Sequence, residues 1–132
     1  APVVSAAGQR LDVSVVQPAT LQGDESLLQQ LIANLLQNAM VHGAEAQTIS
    51  MKVHGSRLIV SDEGPGIPFA ERDRVLQPLY RGEASRQGAG FGLGLAMVRA
   101  ICELHDASCA LTSGPNGKGL SVTIEFPKLT KL

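Results

Sequence analysis

Four polar side chains recur at helical spacing between residues 30 and 42. Gln30, Asn34, Asn38 and His42 stand at i, i+4, i+8 and i+12, so a helix would carry them as one stripe beside its apolar face. A buried amide without a partner costs roughly 1–3 kcal/mol. The stripe is therefore either a solvated flank or satisfied internal network, or the wall of a cleft whose ligand the amides bind.

A second candidate site begins at Asp62, in the stretch DEGPGIP that follows a predicted strand. Asp62 could accept a hydrogen bond from an exocyclic amine in a largely apolar pocket, while Gly64 and Gly66 clear space for a ligand. A tight turn explains the same Gly-Pro-Gly sequence without any ligand. Both interpretations stay open at this point.

The segment 82–94 is rich in glycine, and it leads into a predicted helix through the sequence GAGFGLGLA. We expect a mobile loop there, and the N–H groups and positive dipole end of a helix N-terminus attract phosphate. The segment is not a Rossmann fingerprint, because Leu93 stands where the third glycine should be. Lys118 in GPNGKG lacks the spacing and the following Ser or Thr of a Walker A loop.

Cys102, His105 and Cys109 form a third cluster of residue types that can bind metal. A zinc site requires four ligands, and this face of the predicted helix needs small apolar side chains. We therefore expect core packing, with both thiols reduced.

Helices and strands must position these residues. Apolar residues at helical spacing predict a helix that has Asp24 as its N-cap and Gly43 at its end. Two further helices are predicted over 93–105 and, between prolines, over 69–77. Alternating segments predict strands over 11–16, 48–53, 57–62, 109–113 and 120–126. The last four of these strands are predicted to form two hairpins. The order predicts an α/β two-layer sandwich, with a mixed, mainly antiparallel sheet and about three helices on one face.

Length and charge restrict the class of protein. The 132 residues predict one domain over 1–132, and a net charge of -1 argues against binding nucleic acid or membrane through a broad basic surface. No apolar run approaches the ~18 residues of a membrane span, and the N-terminus lacks the features of a signal peptide. Because the chain does not begin with Met, we expect a fragment, with room upstream for a membrane anchor or partner domain.

The motifs resemble those of a known family when they are taken in order. NLLQNAMVH, DEGPGI, PLYR, GFGLGLAMV and, more loosely, GKGLSVTIEFP are similar to its N, G1, F, G2 and last glycine boxes. The family is the catalytic and ATP-binding domain of bacterial sensor histidine kinases, which shares the Bergerat fold with DNA gyrase and the mismatch-repair ATPases. The resemblance covers residues 10–127.

The resemblance implies a role for each matching residue. Asn34 and Asn38 would approach a Mg²⁺ that bridges the phosphates of ATP; neutral amides bind a divalent ion weakly, so we expect Mg²⁺ to arrive with the nucleotide. Asp62 would read the adenine amino group. Arg81 and Arg86 would contact phosphates. The other implied ATP contacts, some of them in a flexible lid, are His42, Gly64, Gly66, Ile67, Tyr80, Gly90, Phe91, Gly92, Leu93, Gly94 and Leu95.

The sequence departs from the family pattern at several positions. Leu79 stands where the F box usually has Phe, although Tyr80 is a substitute anchor for the lid. Val41 occupies a position that is often Lys, which removes one phosphate contact. His42 replaces a frequent aromatic residue, and Leu120 stands where Thr is common.

The resemblance also bears on the reaction. Hydrolases of the superfamily carry Glu at the position of Asn34, and an amide cannot take a proton as that general base does. A site without such a base favours phosphoryl transfer to an acceptor on another domain. In the family the acceptor is a histidine on the dimerisation domain of the same parent kinase, which acts in turn on a response regulator. None of His42, His54 and His105 lies in such a motif, so we expect this chain to bind ATP but not to autophosphorylate alone.

The resemblance further implies a cytoplasmic, monomeric domain without direct contact to nucleic acid or membrane, and it is compatible with an inner-membrane sensor as parent. Two alternatives remain. An anti-sigma-factor-type serine kinase has an N box with a similar ending, although Asn34 in place of Glu argues against it. A non-catalytic, nucleotide-responsive binding module is permitted by the changes at Leu79 and Val41.

Overall fold

The computed structural model describes residues 3–4, 9–18, 21–42, 48–65, 94–114 and 119–127. Within these ranges the chain forms six strands and two helices. The strands are β1 (Val3–Val4), β2 (Arg10–Gln17), β3 (Thr48–His54), β4 (Arg57–Ser61), β5 (Ser108–Ser113) and β6 (Leu120–Glu125). The helices are α1 (Glu25–His42) and α2 (Gly94–Leu104). The short helix predicted over 69–77 lies outside the described residues, so two of the three predicted helices are confirmed.

The six strands form one mixed sheet in the order β1-β2-β3-β4-β6-β5. Strands β2 and β3 are parallel, and every other neighbouring pair is antiparallel. A parallel pair requires a crossover, which α1 supplies between β2 and β3. Both predicted hairpins are present, β3 with β4 and β5 with β6, and the prediction of a mixed, mainly antiparallel sheet is confirmed.

Alternation along the strands gives the sheet one apolar face. In the pairing register Val13 lies opposite Met51, Met51 opposite Val60, Val60 opposite Val122, and Val122 opposite Leu111. Because side chains alternate between faces, these five residues form one row on the same face across five strands. Both helices pack on this face, since α1 contacts β3, β4 and α2, while α2 contacts β5. The core lies between the two layers.

Helix α1 begins and ends where its sequence predicts. The Asp24 carboxylate accepts a hydrogen bond from the Leu27 N–H at 3.0 Å, as an N-cap does. Leu31, Leu35 and Ala39 then face the core at helical spacing. The helix ends at His42, and Gly43 lies beyond the described residues.

Helix α2 ends in a Schellman turn. The Ala107 N–H donates to the Cys102 carbonyl at 2.8 Å and the Asp106 N–H donates to the Glu103 carbonyl at 3.3 Å. Asp106 takes the left-handed conformation that this motif requires, with φ of 54°, a position where glycine is usual and aspartate is tolerated. The turn brings the chain directly into β5.

Neither helix in the described ranges combines the length and the hydropathy that a membrane span requires.

Candidate functional site

One end of the sandwich, which we call the Asp62 end, gathers the ends of several elements. The pairing of Ser61 with Ser50 and Ser121 puts the end of β4 beside the starts of β3 and β6. Helix α1 crosses from the end of β2 to the start of β3, so it finishes at this end. Helix α2 runs toward the start of β5, at the opposite end, so it begins at the Asp62 end. The topology therefore brings Asp62, the last turn of α1 and the first turn of α2 to one place.

A hydrogen bond at the opposite end confirms that the two helices are antiparallel. The Asp24 N–H, at the start of α1, donates to Nε2 of His105, just after α2, at 3.0 Å. Nδ1 of His105 lies 2.8 Å from the Ile101 carbonyl. Because each ring nitrogen has a backbone partner, His105 links the helices and is not available as a metal ligand.

The Asp62 carboxylate is held by the backbone of two segments. Asp62 is 5% exposed, and its Oδ1 accepts hydrogen bonds from the N–H groups of Gly64 at 2.9 Å and Leu120 at 3.2 Å. The Asp62 N–H also donates to the Leu120 carbonyl at 2.9 Å. Asp62 therefore shapes the turn that the sequence predicts, and the same bonds fix the orientation of its carboxylate.

Gly119 is pressed against Asp62, and sequence reasoning did not assign it a role. Its φ is 72°, and a Cβ placed there would lie 2.0 Å from the Asp62 carbonyl oxygen. No other residue type fits this approach without moving the backbone. The signal in the sequence was a glycine directly before the last strand, which gives no indication of the partner.

The polar stripe of α1 divides into two parts. The exposed Gln30 side chain donates to Oδ1 of the half-buried Asn34 at 3.1 Å, so this pair forms a local network. Asn38 is 8% exposed, and among the residues that the structure describes its side chain has no hydrogen-bond partner. Since an unpaired buried amide costs free energy, Asn38 fits a ligand-binding residue better than a structural one.

The start of α2 contributes Gly94 and Leu95. A Cβ on Gly94, the first residue of the helix, would meet no atom of the described residues within 4 Å. Leu95 is 0% exposed and belongs to the core cluster. The structure thus gives Leu95 a packing role, and its contact with a nucleotide stays a prediction.

Several predicted site residues lie outside the described residues: Gly66, Ile67, Tyr80, Arg81, Arg86, Gly90, Phe91, Gly92 and Leu93. His42 is the last residue of α1, but its side chain is not described. The roles of all these residues stay predictions.

Two further contacts at the Asp62 end were missed by sequence reasoning. Gln9, which precedes β2 and is 6% exposed, donates from Nε2 to the Met40 carbonyl at 2.9 Å. The Thr48 N–H, at the start of β3, donates to Oε1 of Glu63. Each contact joins residues far apart in sequence, so no local spacing reveals it.

The two cysteines lie toward the opposite end, in the last turns of α2 and the beginning of β5. Cys102 is part of the core and Cys109 packs against it, as predicted, and both are free thiols. A hydrogen bond between the two thiols raises the pKa of Cys109, whose burial acts in the same direction, and lowers the pKa of Cys102. The pair therefore ionises first at Cys102, while Cys109 keeps its proton.

The family model described as histidine kinase-, DNA gyrase B- and HSP90-like ATPase matches residues 23–130. The chain belongs to this family of ATPase domains. The family resemblance of the motifs is therefore confirmed.

Individual proteins agree with the family assignment. The sensor protein kinase PmrB of Pseudomonas aeruginosa is 34% identical over 112 residues, which cover 82% of this chain and 24% of PmrB. The structure of a mycobacterial sensor histidine kinase, MprB, superposes with a TM-score of 0.75 at 26% identity, covering 89% of this chain and 83% of the MprB chain. The structure of full-length ShkA in complex with AMPPNP gives a TM-score of 0.73 at 27% identity, covering 95% of this chain and 27% of ShkA. These superpositions confirm the predicted fold class.

This ATPase-family chain spans about a quarter of the length of several curated relatives that it matches.

Proposed function

We propose that this chain binds Mg²⁺-ATP and presents its γ-phosphoryl group to a histidine on the dimerisation domain of the same parent kinase, in two-component signal transduction. The parent would pass the phosphoryl group to a response regulator. Residues 1–132 would form one catalytic and ATP-binding domain, with its core over 10–127, on the cytoplasmic side of a membrane sensor.

The observation that carries the proposal is the buried Asn38 amide at the Asp62 end, without a side-chain partner among the described residues. It lies one helical turn after Asn34 on the same side of α1, and the Asn34 oxygen, which accepts a hydrogen bond from Gln30, keeps a second lone pair for the same ligand. Amide oxygens suit a hard cation such as Mg²⁺, but they carry no charge, so phosphate oxygens must supply most of the attraction. The residues therefore fit a metal that arrives with a nucleotide.

Asp62 supports the assignment of the nucleotide. Its Oδ1 takes two backbone N–H bonds, which hold the plane of the carboxylate, and a carboxylate is an acceptor for an exocyclic amine. Adenine offers such an amine, whereas guanine presents a carbonyl oxygen at the corresponding position. This geometry favours ATP over GTP.

Asn34 supports transfer over hydrolysis. An amide does not accept a proton from water, so position 34 provides no general base. Bound Mg²⁺ would supply neutralisation of the phosphate charge. The chain's own residues would hold and orient the nucleotide, and the acceptor would come from the other domain.

Replacing Asn38 by Ala tests the metal role. We expect the Asn38→Ala variant to bind ATP about tenfold or more weakly in the presence of Mg²⁺, because a charge-assisted contact is lost, but to bind ATP in EDTA almost as the wild type does. The measurement is isothermal titration with ATP under both conditions. Gln37→Ala, which removes an exposed amide from the same helix, is the matched control. Equal losses with and without Mg²⁺ would contradict the proposal.

Phosphoryl transfer is tested by adding a separately purified dimerisation domain with its phosphoacceptor histidine and γ-labelled ATP. We expect label on the added domain, lost in acid and stable in alkali as a phosphoramidate is, and no label on this chain alone. ATP binding without transfer to the cognate domain would favour a nucleotide-responsive binding module. Acid-stable label would indicate a serine kinase instead.

A further inference from the structure

Gln9 makes a contact that neither the motifs nor the family match explains. It precedes β2 and lies outside residues 23–130, which the family model matches. Its side chain is buried, and Nε2 donates a hydrogen bond to the Met40 carbonyl oxygen at 2.9 Å, across 31 positions of sequence. The bond therefore joins the residue before β2 to the last turn of α1.

The atom that it holds belongs to the last turn of α1. The helix ends at His42, so the Met40 carbonyl lies in its last turn, where carbonyls depend on groups beyond the regular helix. Terminal turns fray unless these carbonyls are satisfied by other groups. Gln9 therefore acts as a C-terminal cap supplied by a different part of the chain.

This last turn begins at Asn38. If the turn frays, the Asn38 amide loses its fixed position at the Asp62 end, whereas Asn34, one turn earlier, stays inside the regular helix. Gln9 is placed to control one of the two amides and not the other.

We propose that Gln9 is a positioning residue for Asn38: its amide fixes the last turn of α1 and thereby sets the Asn38 side chain for Mg²⁺-nucleotide binding. The inference rests on the proposed function, and it gives the segment before β2 an influence on the nucleotide site through the last turn of α1. Gln9 is a positioning residue because its amide contacts the helix.

The test compares wild type with Gln9→Met, which keeps the side-chain length and removes the donor. We expect Gln9→Met to weaken Mg²⁺-ATP binding about threefold to tenfold, as the loss of one buried hydrogen bond allows, and to change ATP binding in EDTA less than twofold, on the order of experimental error. Amide hydrogen exchange, measured without nucleotide, should quicken in the last turn of α1 and not in its first turns. Gln29→Met, on the exposed side of α1, is the matched control and should change neither quantity.

A second variant separates positioning from general loss of stability. Gln9→Glu presents a carboxylate to the Met40 carbonyl at neutral pH and cannot donate, so it should lose affinity as Gln9→Met does. Near a pH of about 5, where the carboxyl group takes up a proton, it becomes a donor again and should regain affinity relative to wild type under the same conditions. Gln9→Met should show no such recovery.

The inference would be overturned by equal losses with and without Mg²⁺, by unchanged exchange in the last turn of α1, or by no recovery of Gln9→Glu in acid. If wild type binds Mg²⁺-ATP and Gln9→Met binds it with the same affinity, the positioning role alone is overturned. Absence of Mg²⁺-ATP binding by wild type would overturn the proposed function and the positioning role together.

Discussion

The side chains of Asp62 and Asn38 lie at the same end of the molecule, but only that of Asp62 is held by hydrogen bonds among the described residues. Backbone groups of two segments hold the Asp62 carboxylate, so it is oriented before any ligand arrives. The Asn38 amide is buried without a side-chain partner in the described residues, and its helical turn depends on a cap from Gln9. In the proposed site, the preoriented Asp62 carboxylate would meet the base, and the less supported Asn38 amide would meet the metal that arrives with the same nucleotide.

The cysteine pair permits a prediction about stability in alkali. In the unfolded chain both thiols ionise near their ordinary pKa of 9.0, whereas in the folded protein Cys109 keeps its proton. Above pH 9 the folded state therefore binds more protons than the unfolded state, and stability falls as the pH rises. The lowered pKa of Cys102 acts in the opposite direction just below pH 9, where the folded state releases a proton first.

We expect the free energy of unfolding to fall more steeply between about pH 9 and 10.5 in wild type than in the Cys102→Ala/Cys109→Ala double variant. The double variant removes both thiols and leaves the other titrating groups in place, so the difference in slope reports the pair. Urea denaturation at a series of pH values measures it. Identical slopes would show that the hydrogen bond with Cys102 and burial do not hold the proton on Cys109.

Different hydrogen bonds fix the two helices at the two ends of the sandwich. At the end away from Asp62, His105 joins the start of α1 to the end of α2, and the Schellman turn anchors α2 to β5. At the Asp62 end, Gln9 holds α1 from the side of the sheet. Strand β6 enters this arrangement through Gly119, which packs against the carbonyl of Asp62.

Substituting Gly119 tests the contact between β6 and the Asp62 turn. Gly55 and Gly119 both have positive φ, 64° and 72°, so alanine at either position costs about 1–2 kcal/mol of stability for the left-handed backbone. At Gly55 the nearest atom to an added Cβ is 3.8 Å away, whereas at Gly119 it is 2.0 Å away. We expect Gly119→Ala to be clearly more destabilising than Gly55→Ala, and to weaken ATP binding as well.

Urea denaturation of both glycine variants, with ATP titration of each, measures the difference. Gly55 lies in the turn at the far end of β3, so its variant controls for backbone strain without touching the site. Equal destabilisation, or unchanged ATP affinity in Gly119→Ala, would show that the Asp62 turn adapts to a side chain.

At the scale of the whole molecule, the sequence predicted the elements better than their arrangement. Strand alternation and the Asp24 cap located β2 to β6 and α1, because these signals are local. The parallel pairing of β2 with β3 and the place of β6 between β4 and β5 depend on contacts between distant segments.

The same division holds for the candidate site. Asn38 and Asp62 were identified because their residue types, spacing and neighbouring glycines are unusual within short segments. Gln9 and Gly119 were missed because each matters through one contact, with Met40 and with Asp62, that folding creates. Gln9 in isolation is an ordinary polar residue before a strand.

The position of β6 has a consequence for the order in which a growing chain can fold. Strand β6 follows the other described strands in the sequence, yet it lies between β4 and β5, and its first residue supplies one of the N–H groups that hold Asp62. While the ribosome is still making the residues before β6, one edge of β4 has no partner and β5 has no sheet to join. The residues up to β6 must therefore leave the ribosome before the Asp62 carboxylate is held, so the candidate site matures after the other described strands have been made.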